Sequence, residues 1–308
     1  MPRDWIDSDT ARALLTPEDR LRLDRYVLHD AGAGVDIFGV SRAALGRGLA
    51  AGRFVHRHVV RARSWGHAHL PAEGGAVLAV VGLRPNLPQI MSLIVDVFVG
   101  ARVPRLVRTL IDERWTAAPY AGNLTRELGQ VPNLPSNADA LLSAGHLLGL
   151  PIHDLEEVGY DHQDASMRSS IQGSFTIASC LDWATRYEVP IIPVVLSVSS
   201  TPAESEDSAD GSLRARSAAL GRRALERALF GTSRGAGGRR RLDLVYGSPL
   251  QVAPLHELDA DDGRIATQAA LQRALSRAQA QAQARAVRGD GSLAEDADAQ
   301  AEGATAHG

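Results

Sequence analysis

Lysine is absent from this 308-residue chain, so its positive charge outside histidine rests on arginine alone. Arginine's planar fork suits phosphate better than a point charge does. Cysteine occurs once, as Cys180, which excludes an intrachain disulfide and a thiolate metal cluster. Its neighbours Ile177, Ala178, Leu181 and Trp183 predict a small core residue on a buried helix face. Charge imbalance is lacking too. A formal net charge of -3 provides no whole-molecule field for nucleic acid, so any phosphate affinity has to come from a local patch. The start, Met1 to Asp9, has neither the basic region nor the apolar run of a signal peptide, and no apolar stretch approaches the ~20 residues that span a bilayer. The expectation is a cytoplasmic protein, either soluble or peripheral on the inner face of the cell membrane.

What is present is core-forming material, 44% hydrophobic residues, enough for one domain of moderate size with appendages. Pro17, Glu18 and Asp19 open a short helix towards Tyr26, and a second helix is expected from about Ser41 to Arg63. The short apolar run Ala76–Val81 reads as a strand buried on both faces. Helices near Leu87–Gly100 and Tyr120–Leu128 then alternate with strands at Leu106–Ile111 and Leu147–Leu150, and Ser136 is a candidate cap for a helix over Asn137–Ala144. A helix over Ser174–Tyr187 precedes the run Pro190–Leu196, whose two prolines suggest a sheet edge or strand ends. The alternation predicts an α/β fold with a largely parallel central sheet flanked by helices.

The later chain is less regular. Residues 201–211 form an acidic loop, Leu213–Phe230 reads as a helix, Leu242–Gly247 as a strand, and a final helix runs through about Arg285. The expected organisation is an N-terminal helical segment (1–64), an α/β domain (65–255), a C-terminal helix (256–288) and a disordered tail (289–308).

On a helical wheel, Leu45, Leu49, Val55, Val59 and Val60 share one side of the second helix, while Arg47, Arg53, Arg57, Arg61 and His58 share the other. Phe54 falls in the basic sector. This is the pattern of an amphipathic helix that lays an aromatic ring and arginines on an anionic membrane surface. It is equally the pattern of a helix packed on its own domain with solvated arginines.

Several segments together carry a resemblance: Leu23–Tyr26, His69–Ala72 before the first strand, Ala118–Pro132, Glu188–Val194 and Leu244–Leu250. In order and spacing they resemble the lysophospholipid and glycerol-phosphate acyltransferase family, typified by 1-acylglycerol-3-phosphate acyltransferase, over about Leu23 to Leu250. The resemblance implies that family's α/β fold and O-acyl transfer to a glycerolipid. It also implies a histidine base after the first strand, oriented by an aspartate, and a glutamate after the third.

The chain departs at all three positions. Leu83 stands in the histidine place, Ile90 in the aspartate place and Ile152 in the glutamate place. None of these side chains can take or hold a proton, so general-base catalysis by that route is closed. His153, at the end of the third strand, is the best candidate for a relocated acid or base, although Asp154 beside it points to the opposite face of an extended chain. Pairs such as His67 with His69 and Asp161 with His162 have metal-like spacing without a third ligand, so neither a metal nor a cofactor is expected.

The leading reading is a non-catalytic family member that binds a phospholipid or acyl chain. Leu83, Leu87, Ile90, Met91 and Ile152 would line an apolar cleft, with Arg84 and Arg126 at its mouth for a headgroup phosphate. The anionic membrane surface, and an active paralogue or a second copy of the chain, are the other expected partners. The alternative is an active acyltransferase using other residues.

Overall fold

The computed structural model describes residues 8–28, 34–82, 87–111, 121–152, 175–201, 239–252 and 260–288. Within them seven strands form one sheet: β1 (Arg63–Trp65), β2 (Ala76–Val81), β3 (Val107–Ile111), β4 (Val131–Pro132), β5 (Leu147–Ile152), β6 (Ile191–Thr201) and β7 (Arg239–Tyr246). Their order is β1-β7-β6-β2-β5-β3-β4. Strands β2 to β6 run parallel, β7 is antiparallel to β6, and β1 lies parallel to β7. The fold is α/β, with a largely parallel sheet.

Helices cover both faces. On one lie α1 (Ser8–Leu14), α2 (Pro17–Arg25), α3 (Arg42–Phe54), α4 (Leu87–Gly100) and α5 (Ala121–Glu127). On the other lie α6 (Pro135–Ser143), α7 (Ile177–Arg186) and α8 (Ala260–Arg288). The central strand shows why both are needed. Leu78 and Val80 of β2 enter the core that holds Leu93, Ile94 and Val97 of α4. Val77 and Ala79 enter the opposite core, with Ile177, Cys180, Leu181 and Ala184 of α7. Period two on the strand meets the i, i+3, i+4, i+7 stripe on the helix. Each aliphatic side chain so buried contributes roughly 1.5–3 kcal/mol.

Local chemistry sets the helix ends. Thr176 Oγ1 accepts from Ser179 N at 3.2 Å, and the Ser179 hydroxyl accepts from Thr176 N, a reciprocal cap that starts α7. Along α8, Leu271, Ala274, Leu275, Ala278 and Ala282 form the stripe laid on β6, β7 and α7. Where α3 crosses α4, a Cβ on Gly52 would stand 2.5 Å from Val95 Cγ2, so the two backbones approach at a distance that only glycine permits.

The structure corrects several expectations. Of the two alternatives for the prolines, the structure has the strand end and not the sheet edge: Pro190 immediately precedes β6, Pro193 is its third residue, and β6 sits between β7 and β2. Ile191 exchanges hydrogen bonds with Leu250, and Pro193 O accepts from Gly247 N. The side of Pro193 without an N–H therefore faces β7, where the ladder is interrupted between Tyr246 and Leu250, and no rung is lost. Ser136 does not cap α6, which starts at Pro135 with Leu134 as a cap lacking a side-chain bond. The helix expected through Arg63 ends earlier: α3 passes into a π-helical turn, Val55–Val59, and Arg61 takes φ 47°.

The division at residue 64 is not a packing boundary, because Leu23, Leu45 and Leu49 share one core with Leu78 and Val80. The expected helix over 213–230, the acidic loop at 202–211 and the tail 289–308 lie outside the described residues.

Candidate functional site

Strand connections locate the first candidate. From β2 the chain goes to α4 and from β3 to α5, both on the α3 face. After β5, which lies between β2 and β3, the next described helix is α7, on the opposite face. Adjacent parallel strands whose connections leave to opposite faces open a crevice outside their carboxyl ends, where open α/β sheets take ligands. Val81 and Ile152 are register partners at this end. Phe175 bridges to Ile152 as well, so chain that leaves β5 at His153 returns to the same strand end. The Phe175 ring there packs on Trp183, centroids 5.7 Å apart.

The expected ligand-binding residues do not come together as one lining. Ile90 and Met91 are buried in the core on the α4 face, whereas Ile152, 2% exposed, belongs to the core on the α7 face. Parity explains this: Ile152 shares its face of β5 with Leu148 and Leu150, beneath α6 and α7. Leu83, Arg84 and His153 lie outside the described residues, and Leu87 is the first residue of α4. Arg126 is exposed and folds back on its own helix, donating to Gly122 O and Asn123 Oδ1.

The expected membrane-contact residues divide as well. Arg47 pairs with Glu127 of α5 at 2.8 Å and Arg53 with Asp19 of α2 at 2.9 Å, both largely withdrawn from solvent. These two are ties between helices, which corrects the reading of a continuous basic face. Phe54 (54% exposed), Arg57 and His58 do face out, and Arg61 is half-buried. Phe54 and His58 stack at 5.3 Å across one turn.

A second constellation escaped the sequence reading. Asp96, buried on α4, accepts from His67 Nε2 at 2.9 Å and from Tyr246 Oη at 2.7 Å, both on Oδ2. Its Oδ1 lies 3.9 Å from His56 Nε2. Burial pushes the Asp96 carboxyl up, but His67, then His56 and the Ser64 hydroxyl, more than offset that and hold it below its ordinary value. An ionised carboxylate only accepts, so His67 Nε2 carries the proton it donates. Burial, reinforced by the Asp96 charge and hydrogen bond, raises Tyr246 well above its usual range. Burial lowers His56, with Arg53 and Arg57 adding to the effect and Asp96 and the Ser92 backbone carbonyl opposing it. A side chain on Gly100 would overlap the His67 ring, so the ring is seated on bare backbone.

A signal for this cluster exists in the sequence. Asp96 is the one charged residue in the helix Leu87–Gly100, whose only other polar side chains are Gln89 and Ser92, and a buried acid requires partners. The cluster ties β1, α4, β7 and the π-turn together. It is not at the crevice: Tyr246 on β7 is separated from β5 by β6 and β2. A further buried pair, Arg108 with Asp36, is structural in the same way, with Asp36 also accepting from Phe38 N and Val40 N and Arg108 donating to Gly129 O.

No family of known proteins, no curated protein and no solved structure is matched by this chain. Among the described residues no helix is long and apolar enough to cross a membrane, and no group of three or more His, Cys, Asp or Glu is arranged to hold a metal ion.

Proposed function

We propose that the chain is a non-catalytic acyltransferase-like protein that holds a phospholipid or acyl chain at the carboxyl end of β5 while lying on an anionic membrane surface. The observation that carries the reading is that the helices next described after β2 and after β5 lie on opposite faces of the sheet, the arrangement that in open α/β sheets places a ligand crevice at the carboxyl ends of the two strands, Val81 and Ile152. In sequence, Gly82 and Leu83 follow Val81 and His153 follows Ile152, and the positions where the resembling family keeps its base and acids are Leu83, Ile90 and Ile152.

Burial of Ile90 in the aliphatic core on the α4 face supports the lack of turnover, because a carboxylate could not be placed there without partners. Membrane contact draws support from Val60 at the end of the π-turn, whose carbonyl accepts from Leu242 N. Leu242 pairs with Val198, three residues beyond the last rung of β6 on β2, Val195 with Val81, so the turn ends on the side of the sheet from which the crevice opens. Phe54, Arg57 and His58 remain exposed beside it.

The test is mass spectrometry of lipids retained by the purified full chain, with an acyl-transfer assay from an acyl thioester to a lysophospholipid on the same sample. Retained lipid without turnover is expected, with less retained by Leu83→Glu. Sustained turnover abolished by His153→Ala would replace this reading with an active enzyme.

A further inference from the structure

We propose that the π-helical turn Val55–Val59 is an acid-released docking element for anionic bilayers, held down at neutral pH by uncharged His56 beside Asp96 and freed when His56 takes a proton. The inference rests on the membrane reading above and adds its regulation.

Four observations meet in this turn. It is a π-helix, closed by Val60 N to Val55 O at 2.9 Å and followed by Ala62 N to His56 O at 2.9 Å, a geometry that is rare and concentrated at functional sites. Its exit residue, Arg61, sits in the left-handed region at φ 47°, a conformation that strains a residue with a Cβ. The turn is two-sided: Arg57 and His58 face out next to exposed Phe54, while Val55, His56 and Val59 face in. Finally, His56 is poorly provided for as a cation, since its Nδ1 is buried without a hydrogen-bond partner and its Nε2 stops 3.9 Å short of Asp96 Oδ1.

The surroundings set the direction of the response. Facing His56 are Asp96 and the Ser92 backbone carbonyl from α4, and Arg53 from α3. Arg57 and His58 belong to its own turn, and His67 and Tyr246 complete the shell around Asp96. Two groups favour a proton on His56, Asp96 and the Ser92 backbone carbonyl, and the Oδ2 of Asp96 is already engaged by His67 and Tyr246. Two arginines repel that proton and burial penalises it. A protonated His56 is therefore more stable in water than in place.

Its departure breaks the inward side of the turn and relaxes Arg61. It also presents Val55 and Val59 together with Phe54 and a new positive charge. Arginine, imidazolium and an aromatic ring beside freed aliphatic side chains complement an anionic headgroup layer, each added charge raising binding about fivefold.

The experiment is sedimentation of the full chain with vesicles of equal parts phosphatidylglycerol and phosphatidylcholine, at about pH 7.5 and about pH 5.5, on either side of the ordinary histidine value. Amide exchange across residues 54–60, corrected for its intrinsic pH dependence, is read in parallel. Wild type should bind about fivefold or more strongly in acid, with faster exchange in the turn. His56→Gln should lose the faster exchange and keep only the smaller rise in binding that exposed His58 supplies, while His58→Gln keeps the faster exchange. An unchanged rise in His56→Gln, or exchange in wild type that does not respond to pH, overturns the proposal even where the variant folds poorly. Binding that is equal at the two pH values overturns the switch alone; no binding at either overturns the membrane reading with it.

Discussion

Tyr246 Oη donates to Asp96 Oδ2 at 2.7 Å, and the same oxygen accepts from His67 Nε2 at 2.9 Å, although the three residues come from β7, α4 and the turn after β1. One carboxylate thus ties the edge of the sheet to the helix that covers it. Tyr246→Phe removes one donor and leaves the ring packing, and is expected to destabilise by about 1–3 kcal/mol. Asp96→Leu leaves the His67 and Tyr246 donors without an acceptor and should cost more. Urea unfolding of the two variants checks the order, and a neutral Tyr246→Phe would contradict the role given to this bond.

The pH dependence of stability follows from the same cluster. His56 lies below its unfolded value, so its contribution is present above about pH 6.5 and is lost as pH falls. Asp96 also lies below its ordinary value, and its contribution is lost at still lower pH, as the folded carboxyl is protonated. Tyr246 is raised, so its contribution is complete below about pH 10 and is lost as pH rises towards the folded value. Thermal unfolding should show a plateau between neutral and mildly alkaline pH that falls on both sides. His56→Gln should remove the first acid step and leave the alkaline one.

How much of this was legible depended on the range of the cause. The apolar run Ala76–Val81 declared a strand buried on both faces because its neighbours' chemistry is local, and all six residues do form β2. The same holds for the alternation that implied a parallel sheet. Pro193 left sheet edge and strand end undecided because its tolerance depends on an interruption in β7 more than fifty residues later. The helical wheel placed Arg47 and Arg53 in solvent because it cannot show that Glu127 and Asp19 arrive from other helices. Tyr246 stands 150 positions from Asp96, and no spacing rule joins them. The reversal at β5 became visible only with the strand order, although His153 had already been placed at a strand end.

The α3–α4 crossing provides a packing test. A Cβ on Gly52 meets Val95 Cγ2 at 2.5 Å, and Val95 is fully buried with nowhere to retreat. Gly52→Ala is expected to cost about 1–3 kcal/mol through overpacking, despite alanine's better helix propensity. Val95→Ala in the same chain makes room, so the double variant should lose less than the sum of the two single losses. Strict additivity in chemical denaturation would mean that the helices separate rather than clash.

The arginines of α3 and its π-turn separate stability from docking. Arg47 and Arg53 each donate through Nε to a carboxylate of another helix at 2.9 Å, with Glu127 and Asp19 largely withdrawn from water. Replacing either by glutamine leaves a carboxylate without its cation, and a charged hydrogen bond of this kind contributes about 1.5–3 kcal/mol. Arg57, one turn beyond Arg53, is exposed, and its change to glutamine should move stability by less than about 0.5 kcal/mol. Vesicle binding should order the variants in reverse. Arg57→Gln, alone or with Phe54→Ser, should weaken sedimentation with anionic vesicles, whereas Arg47→Gln and Arg53→Gln should leave it near wild type at temperatures where they remain folded. If all three arginine variants lose binding equally, the basic side of the helix acts as one surface, and the ion pairs with Glu127 and Asp19 do not hold at the bilayer.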